Sequence, residues 1–381
     1  MDAVLIHADT IRSATLRHEI PLAILDPFTY LEMDGRRVVV VSVLEADRVA
    51  EVAPDVEIID PYALGMDELV ARGLRWDQSE VELALRACQK LGVSKVVVPG
   101  ETPVAIADRL RAEGIEVVID EPEFIRRRRV KNELEIDGVR RAQAAANGAM
   151  GVAAEMLRRA TAADGVLALD GEPLTSERLR DAMREHAASM GAPMPGDVIV
   201  AAEGAAASGH DPGSGPLPAG KPIVIDIWPE DEASACWADM TRTFVAAGEA
   251  AEDVVAMHGL CLEALDAVKA TARPGITGRE LFDIACEIFE AAGHPTQRTK
   301  AEGETLNEGF YHSLGHGVGL EVHEYPALGR TGNEPLVPGD VIAVEPGTYR
   351  QDYGGVRLED LLLITQDGCE VLTSFPYDLR P

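Results

Sequence analysis

The chain has 381 residues, 46% hydrophobic and 26% charged, which is more than one compact core usually organises and excludes a disordered, collagenous or disulfide-scaffold protein. Its 35 basic and 65 acidic side chains leave a net charge of −30, so nucleic acid and anionic membrane surfaces are excluded as first partners. Carboxylates also bind cations, and part of the excess can serve as metal ligands, although a solvated acidic surface accounts for most of it. Five cysteines, Cys88, Cys236, Cys261, Cys286 and Cys369, lie far apart with no CxxC pair. An odd count in so long a chain reads as reduced thiols and a cytoplasmic location. The first twenty residues include Asp2, Asp9, Arg12, Arg17 and Glu19, and no run approaches the ~18 apolar residues of a membrane span, so neither export nor insertion is expected.

Residues 21–120 alternate short β-rich runs with helical patterns, as a small α/β domain does. Runs at 28–33 and 37–44 flank Asp34-Gly35, a hairpin signal because glycine accepts the positive φ of a tight turn. Runs at 56–59, 93–98 and 115–119 read as buried strands, with helices over 78–91 and 103–112. A boundary is expected near 121–130, dividing an N-terminal domain, residues 1–125, from a second domain, residues 126–381. The basic run Arg126 to Arg129 lies close to Glu133 and Glu135; against the net charge it reads as a solvated linker and not as a nucleic-acid patch.

The second domain contains a repeat. LTSERLRDAMREHAASMGAP (174–193) and ITGRELFDIACEIFEAAGHP (276–295) align at an offset of 102, with identities at Thr175/Thr277, Leu179/Leu281, Asp181/Asp283, Glu185/Glu287, Gly191/Gly293 and Pro193/Pro295. Thr277-x-x-Glu280 is a capping box, and both copies end at Gly then Pro, so each predicts a capped helix. A long helix precedes each copy, over 132–159 and 252–272. β-rich segments follow, at 197–201 and 222–228 in the first and at 340–345 and 355–365 in the second. Chance similarity of two amphipathic helices would not extend to the flanking elements, and a duplicated unit places a shared cleft between its halves.

Four segments of this domain hold candidate chemistry. In PIVIDIWP, Asp226 interrupts an apolar run; a buried ionised carboxylate costs several kcal/mol, on the order of the effective penalty for such ions, unless a cation accepts it. In CWADMTRTFV, Asp239, Thr241 and Thr243 share one strand face, and in GVRLED Arg357 and Glu359 share one while Val356, Leu358 and Asp360 share the other. For any one acid an ion pair, with Arg242 or Arg357, is as reasonable as a metal; four acids in one domain favour the metal. In YHSLGHGVGLEVHE, His312, His316 and His323 fall within fourteen residues, followed by Glu345 in AVEPGTY. His312 and His316 have the spacing of a zinc-peptidase helix, but no Glu follows His312 and Gly315, Gly317 and Gly319 disfavour a helix, so this segment reads as a loop.

Together these residues resemble the pita-bread metallopeptidases, the family of prolidases, Xaa-Pro aminopeptidases and methionine aminopeptidases. The resemblance covers nearly the whole chain and implies a small α/β N-terminal domain of the prolidase and creatinase branch followed by a duplicated α+β catalytic domain. It implies two divalent metal ions, Mn²⁺ or Co²⁺ foremost with Zn²⁺ or Fe²⁺ as alternatives, on Asp226 (VIDIW), Asp239 (ADMTRTF), His316 (GHGVGL), Glu345 (VEPGTY) and Glu359 (VRLED). Four carboxylates would balance the charge of two such ions. His210 in SGHDP, His312, His323 and Arg357 match substrate-contacting and supporting residues. The implied reaction is hydrolysis of an Xaa-Pro bond in a dipeptide or at a peptide N-terminus. Glu345 would relay a proton and His323 would stabilise the tetrahedral intermediate, with His210 and His312 also in the catalytic set. The family is commonly dimeric, which implies a homodimer. One departure is visible: the Asp226 to Asp239 hairpin is two residues longer than the family's, and Trp228 and Cys236-Trp237 replace its usual Gly and Gly-Tyr. A catalytically silent binding module, a creatinase-like C–N hydrolase and a lyase on the same scaffold are the alternatives; the first two would lack several of these ligands.

Overall fold

The computed structural model describes residues 2–351 and 353–381, and its backbone falls into two units, Met1–Arg128 and Arg129–Pro381. The first unit is built on a six-stranded sheet in the order Glu57–Ile59, Arg36–Val40, Phe28–Met33, Asp2–Ala8, Lys95–Val98, Glu116–Ile119. Period-two alternation divides its apolar residues between two cores: Leu5, Leu31 and Val38 face one side, and Ile6, Tyr30 and Val39 the other. Asp34 and Gly35 turn with φ of 49° and 75°, so the hairpin signal is realised at the expected residues.

Several expectations need correction here. The second hairpin strand stops at Val40, and Ser42 leads into a helix, Val43–Val52; the valines run on, but the helix is amphipathic over the next turn. The strand Glu116–Ile119 is a sheet edge with partly exposed side chains, not a buried strand. The charged first twenty residues contain a strand at the centre of the sheet, Asp2–Ala8, and a helix, Ala14–Glu19, capped by Ser13. The basic run is no linker: Glu121–Arg129 is helical, and Arg127 donates to Glu19, Glu32 and Glu123 at 2.7–3.2 Å. Neighbouring acids distant in sequence turn an apparently solvated cation into an ion-pair hub.

The second unit contains the repeat as two helix pairs, Glu133–Arg159 with Ser176–Ser189 and Glu252–Thr271 with Gly278–Ala291. The shorter helices keep the offset of 102, and Thr175 and Thr277 cap them by accepting from the backbone N–H of Arg178 and Glu280, a local device worth about 1 kcal/mol each. Each pair closes its own core: Val139, Met150, Leu179 and Met183 in the first, and Cys261, Leu265, Leu281 and Phe289 in the second. A three-stranded antiparallel sheet, Ile199–Ala202, Pro222–Ile227 and Met240–Val245, belongs to the first half. A five-stranded sheet, in the order Glu324–Leu328, Gly315–Gly317, Val341–Val344, Asp360–Ile364, Cys369–Val371, belongs to the second, with a ribbon of Gly347–Arg350 and Gly354–Arg357 beside it. The segment expected as one β-rich stretch at 355–365 thus breaks at Leu358 and Glu359. Glu359 N–H donates to Thr241 O at 3.1 Å, and Thr243 Oγ1 bonds the backbone of Arg357 on both sides, joining the halves where the acids gather. Among the described residues no helix is long and apolar enough to cross a membrane, and all five cysteines are free thiols.

Candidate metal centre

Asp226 lies on the fully buried strand Pro222–Ile227, opposite Ile199 on one side and Thr241 on the other. Asp239 immediately precedes the strand Met240–Val245, and the alternation that follows sends Thr241 and Thr243 to the site and Arg242 away from it. Arg242 pairs with Asp360 at 3.1 Å on the opposite face, and Arg357 pairs with Asp226 at 2.5 Å, so both arginines make ion pairs. His316 sits on a short strand, Gly315–Gly317, where a loop was expected. This strand is squeezed between two others: a Cβ at Gly315 would lie 1.9 Å from Ala343 O, and one at Gly317 would lie 2.3 Å from Tyr325 O. Glycine there serves close backbone approach, which is compatible with a strand as well as with a loop.

The five residues converge. His316 Nε2 is 3.6 Å from Asp239 Oδ2 and 3.7 Å from Glu345 Oε1, and donor atoms of Asp239, His316 and Glu359 lie within 4.8 Å of one another. Thr241 Oγ1 donates to Glu359 at 2.8 Å, Met240 N–H to Asp239 at 3.0 Å, and Arg357 Nε lies 3.9 Å from Glu345. His316 Nδ1 bonds Gly317 O at 3.1 Å, leaving Nε2 toward the acids. His323 stands against it with ring centroids 4.2 Å apart at 90°, exposed at the cavity wall together with His210.

The electrostatics are those of a site built for cations. Burial first, then the charges of Glu359, Asp226 and Glu345, drive Asp239 well above the usual carboxylate range; burial, then Asp226 and Glu345, do the same to Glu359. Burial pushes Glu345 up to about 8, with Asp226 adding to it and Arg357 opposing. Four carboxylates share one guanidinium, and Asp226 Oδ1 is buried with no hydrogen-bond partner, an orphan that a cation would satisfy. His316 is held down to about 4 by burial and by His323, which keeps it in the neutral form that ligates metal. Hard oxygen donors with one imidazole therefore fit divalent first-row ions.

Around this centre lie two cavities. The larger, about 600 Å³, is lined by His210, His312, His323, Arg357, Tyr311 and Arg330 among others, and the smaller, about 350 Å³, contains Asp226, Asp239, His316, Glu345 and Glu359. Tyr349 was not anticipated from the sequence. It is fully buried, and its hydroxyl bonds both His312 Nε2 at 3.0 Å and Arg357 Nη1 at 2.9 Å. Its ring occupies the space a Cβ at Gly355 would need, and only the ribbon register Tyr349↔Gly355 reveals that fit. Burial, and then Arg357, hold His312 down to about 3, so it bonds as a neutral imidazole.

The sequence profile of metallopeptidase family M24 matches residues 137–366. The chain is 40% identical over 141 residues to an Xaa-Pro dipeptidase of Pyrococcus furiosus and 41% identical over 141 residues to one of Pyrococcus horikoshii. These alignments cover 37% of this chain and 37% and 36% of the two relatives, little more than a third of each. Among solved structures, the prolidase from Pyrococcus horikoshii OT3 superposes with a TM-score of 0.75 at 27% identity, covering 100% of this chain and 95% of that one. The Xaa-Pro dipeptidase from Bacillus anthracis superposes with a TM-score of 0.78 at 22% identity, covering 99% and 94%; it speaks for the fold. With donor geometry, duplicated fold and profile in agreement, the chain belongs to metallopeptidase family M24.

Proposed function

We propose that the protein is a dinuclear metal-dependent peptidase that hydrolyses the bond between an N-terminal residue and a following proline, in a dipeptide or longer peptide. The observation that carries this reading is the convergence of five donors, four of them carboxylates, on a buried centre with one compensating guanidinium and an orphaned Asp226 oxygen. Asp226, Asp239, His316, Glu345 and Glu359 would hold two ions, with Mn²⁺ or Co²⁺ suiting the oxygen-rich set and Zn²⁺ or Fe²⁺ as alternatives. When bound, such ions supply Lewis acidity that lowers the pKa of water and polarises a carbonyl.

The chain's own groups would do the rest. Glu345, as the carboxylate, would accept the proton of the attacking water and deliver it to the leaving proline nitrogen. His323, at the cavity wall, would donate to the developing oxyanion. Arg357 fixes Asp226 and, through Tyr349, the His312 ring; His312 and His210 would then contact the substrate on the side of the larger cavity. The similarity to two Xaa-Pro dipeptidases and a prolidase supports the proline preference. A cytoplasmic homodimer is the matching assembly, and sedimentation at working concentration tests it: a monomer contradicts it.

Metal analysis of the purified protein with a panel of Ala-Pro, Ala-Pro-Ala and creatine tests the reading. Bound metal with turnover of one or both peptides is expected. Absence of metal and of peptide turnover, or turnover of creatine alone, overturns it.

A further inference from the structure

The two cavities beside the metal centre differ in charge. The smaller holds the acids Asp226, Asp239 and Glu359, with Asp197 at its mouth, and its apolar wall is Ile199, Pro212, Trp228 and Val322. The larger alone carries Arg330 and His312, while Arg357, Glu345, His210, His316 and His323 line both. With the four clustered carboxylates balanced by two divalent ions, Asp197 remains the acid of the smaller cavity and Arg330 the cation peculiar to the larger, so a peptide with a free ammonium at one end and a carboxyl group at the other is drawn in with its N-terminal residue toward the smaller cavity.

Trp228 follows Asp226 by two positions and so continues the face on which Asp226 lies. It packs on the apolar group Ile199, Ala201, Ala206 and Val224. The backbone beyond it is tethered. Glu230–Asp231 pairs with Cys236–Trp237, Glu230 N–H donates to Pro193 O at 3.0 Å, and Ala238 N–H donates to Pro229 O at 2.9 Å. Asp231 receives both arms of Arg141 at 2.9 Å and the Ser234 hydroxyl at 2.6 Å. A Cβ at Gly138 would meet Ser234 Oγ at 2.0 Å, so the hairpin rests on bare helix backbone. The hairpin is thus a bracket that holds an indole in the cavity wall. Asp197 is exposed, and among the described residues no arginine or lysine pairs with it.

We propose that the smaller cavity receives the side chain of the substrate's N-terminal residue and selects a long basic one, lysine or arginine; the inference rests on the Xaa-Pro peptidase reading above. The aliphatic stem lies along Ile199, Pro212 and Val322, and the cationic head meets the ring face of Trp228 and the carboxylate of Asp197. A glutamyl side chain of similar reach meets Asp197 as like charge.

The test is kcat/KM for Lys-Pro, norleucyl-Pro and Glu-Pro on metal-loaded wild type, Asp197→Asn and Trp228→Leu, with Ala-Pro turnover, metal content and thermal unfolding recorded for each. The lysyl to norleucyl ratio is internal to each preparation, so it does not depend on the folded fraction. In wild type it is expected to be about fivefold, as an exposed ion pair and a cation–π contact allow, with Glu-Pro the poorest substrate; each substitution is expected to lower it by about twofold. A wild-type ratio near one, or a ratio that either substitution leaves unchanged, overturns the assignment while Ala-Pro turnover keeps the parent reading standing. If wild type hydrolyses no Xaa-Pro dipeptide, both fall.

Discussion

The two oxygens of Asp226 sit in opposite circumstances: Oδ2 accepts from Arg357 at 2.5 Å, and Oδ1 is buried without a hydrogen bond. Asp239 and Glu359 hold their protons tightly because both are buried among other carboxylates, with Arg357 opposing. If Asp239 holds metal as proposed, Asp239→Ala is expected to lose bound metal and to melt at a lower temperature, because ion binding to the native state contributes to its stability. Two ions retained per chain would show that Asp239 is not a ligand. His323 is different in kind, exposed on the wall and touching the centre only through the His316 ring. His323→Ala should keep metal content and melting temperature, while kcat falls by about 10²–10³ and KM changes little. A destabilised variant with normal activity per folded molecule would remove its catalytic assignment. Such residues were legible because an acid inside PIVIDIWP or three histidines in a glycine-rich segment are conspicuous in any sequence. Tyr349 was not, since its position depends on a ribbon register and on the missing side chain of Gly355.

At the scale of elements, legibility followed locality. Helices Ser176–Ser189 and Gly278–Ala291 were readable because their caps, Thr175 and Thr277, act within four residues. The helix Glu121–Arg129 was hidden because the partners of Arg127 that lie outside it, Glu19 and Glu32, stand about a hundred positions away. The first strand was obscured by the charges that follow it, which the fold uses: Asp9 accepts from the backbone of Ile11 and Arg12 at the turn, and Glu19 is buried against Arg127. Replacing Arg127 takes one cation from Glu19, Glu32 and Glu123, which keep Tyr30, Arg37 and Arg126 as partners, so Arg127→Met should destabilise the first unit by about 1 kcal/mol, less than a fully buried pair would because the network is partly exposed. Its pH dependence has a definite sign. Hydrogen bonds from Arg127 hold Glu32 below its ordinary value, and those from Arg126 and then Arg127 do so for Glu123. A depressed carboxyl contributes stability above its unfolded pKa and loses it as pH falls through the folded one. The difference in melting temperature between wild type and Arg127→Met should therefore be full at pH 7 and shrink below about pH 4; a difference that grows toward acid would contradict the pairing.

Over the whole molecule, a net charge of −30 and a duplicated fold meet in one place. The cores run across the halves, Val341, Ala343 and Leu361 of the second packing with the first and Val245 of the first with the second, and the acids come from both: Asp226 and Asp239 from the first, Glu345 and Glu359 from the second, which also supplies His316. The bonds of Thr241 and Thr243 to Glu359 and Arg357 make the seam continuous. What the sequence could not supply was the lining of the two cavities, because Asp197 and Trp228 of the smaller and Arg330 of the larger come from three separate loops or strand ends. The central claim is that these converging residues work only as a loaded metal site. It is tested most directly by stripping the protein with chelator, returning Mn²⁺ in steps, and measuring the rate of Ala-Pro hydrolysis against ions bound per chain. The account predicts a rate that is lost on stripping, rises with loading and levels off at two ions per chain; a rate that survives stripping, or none at full loading, would contradict it.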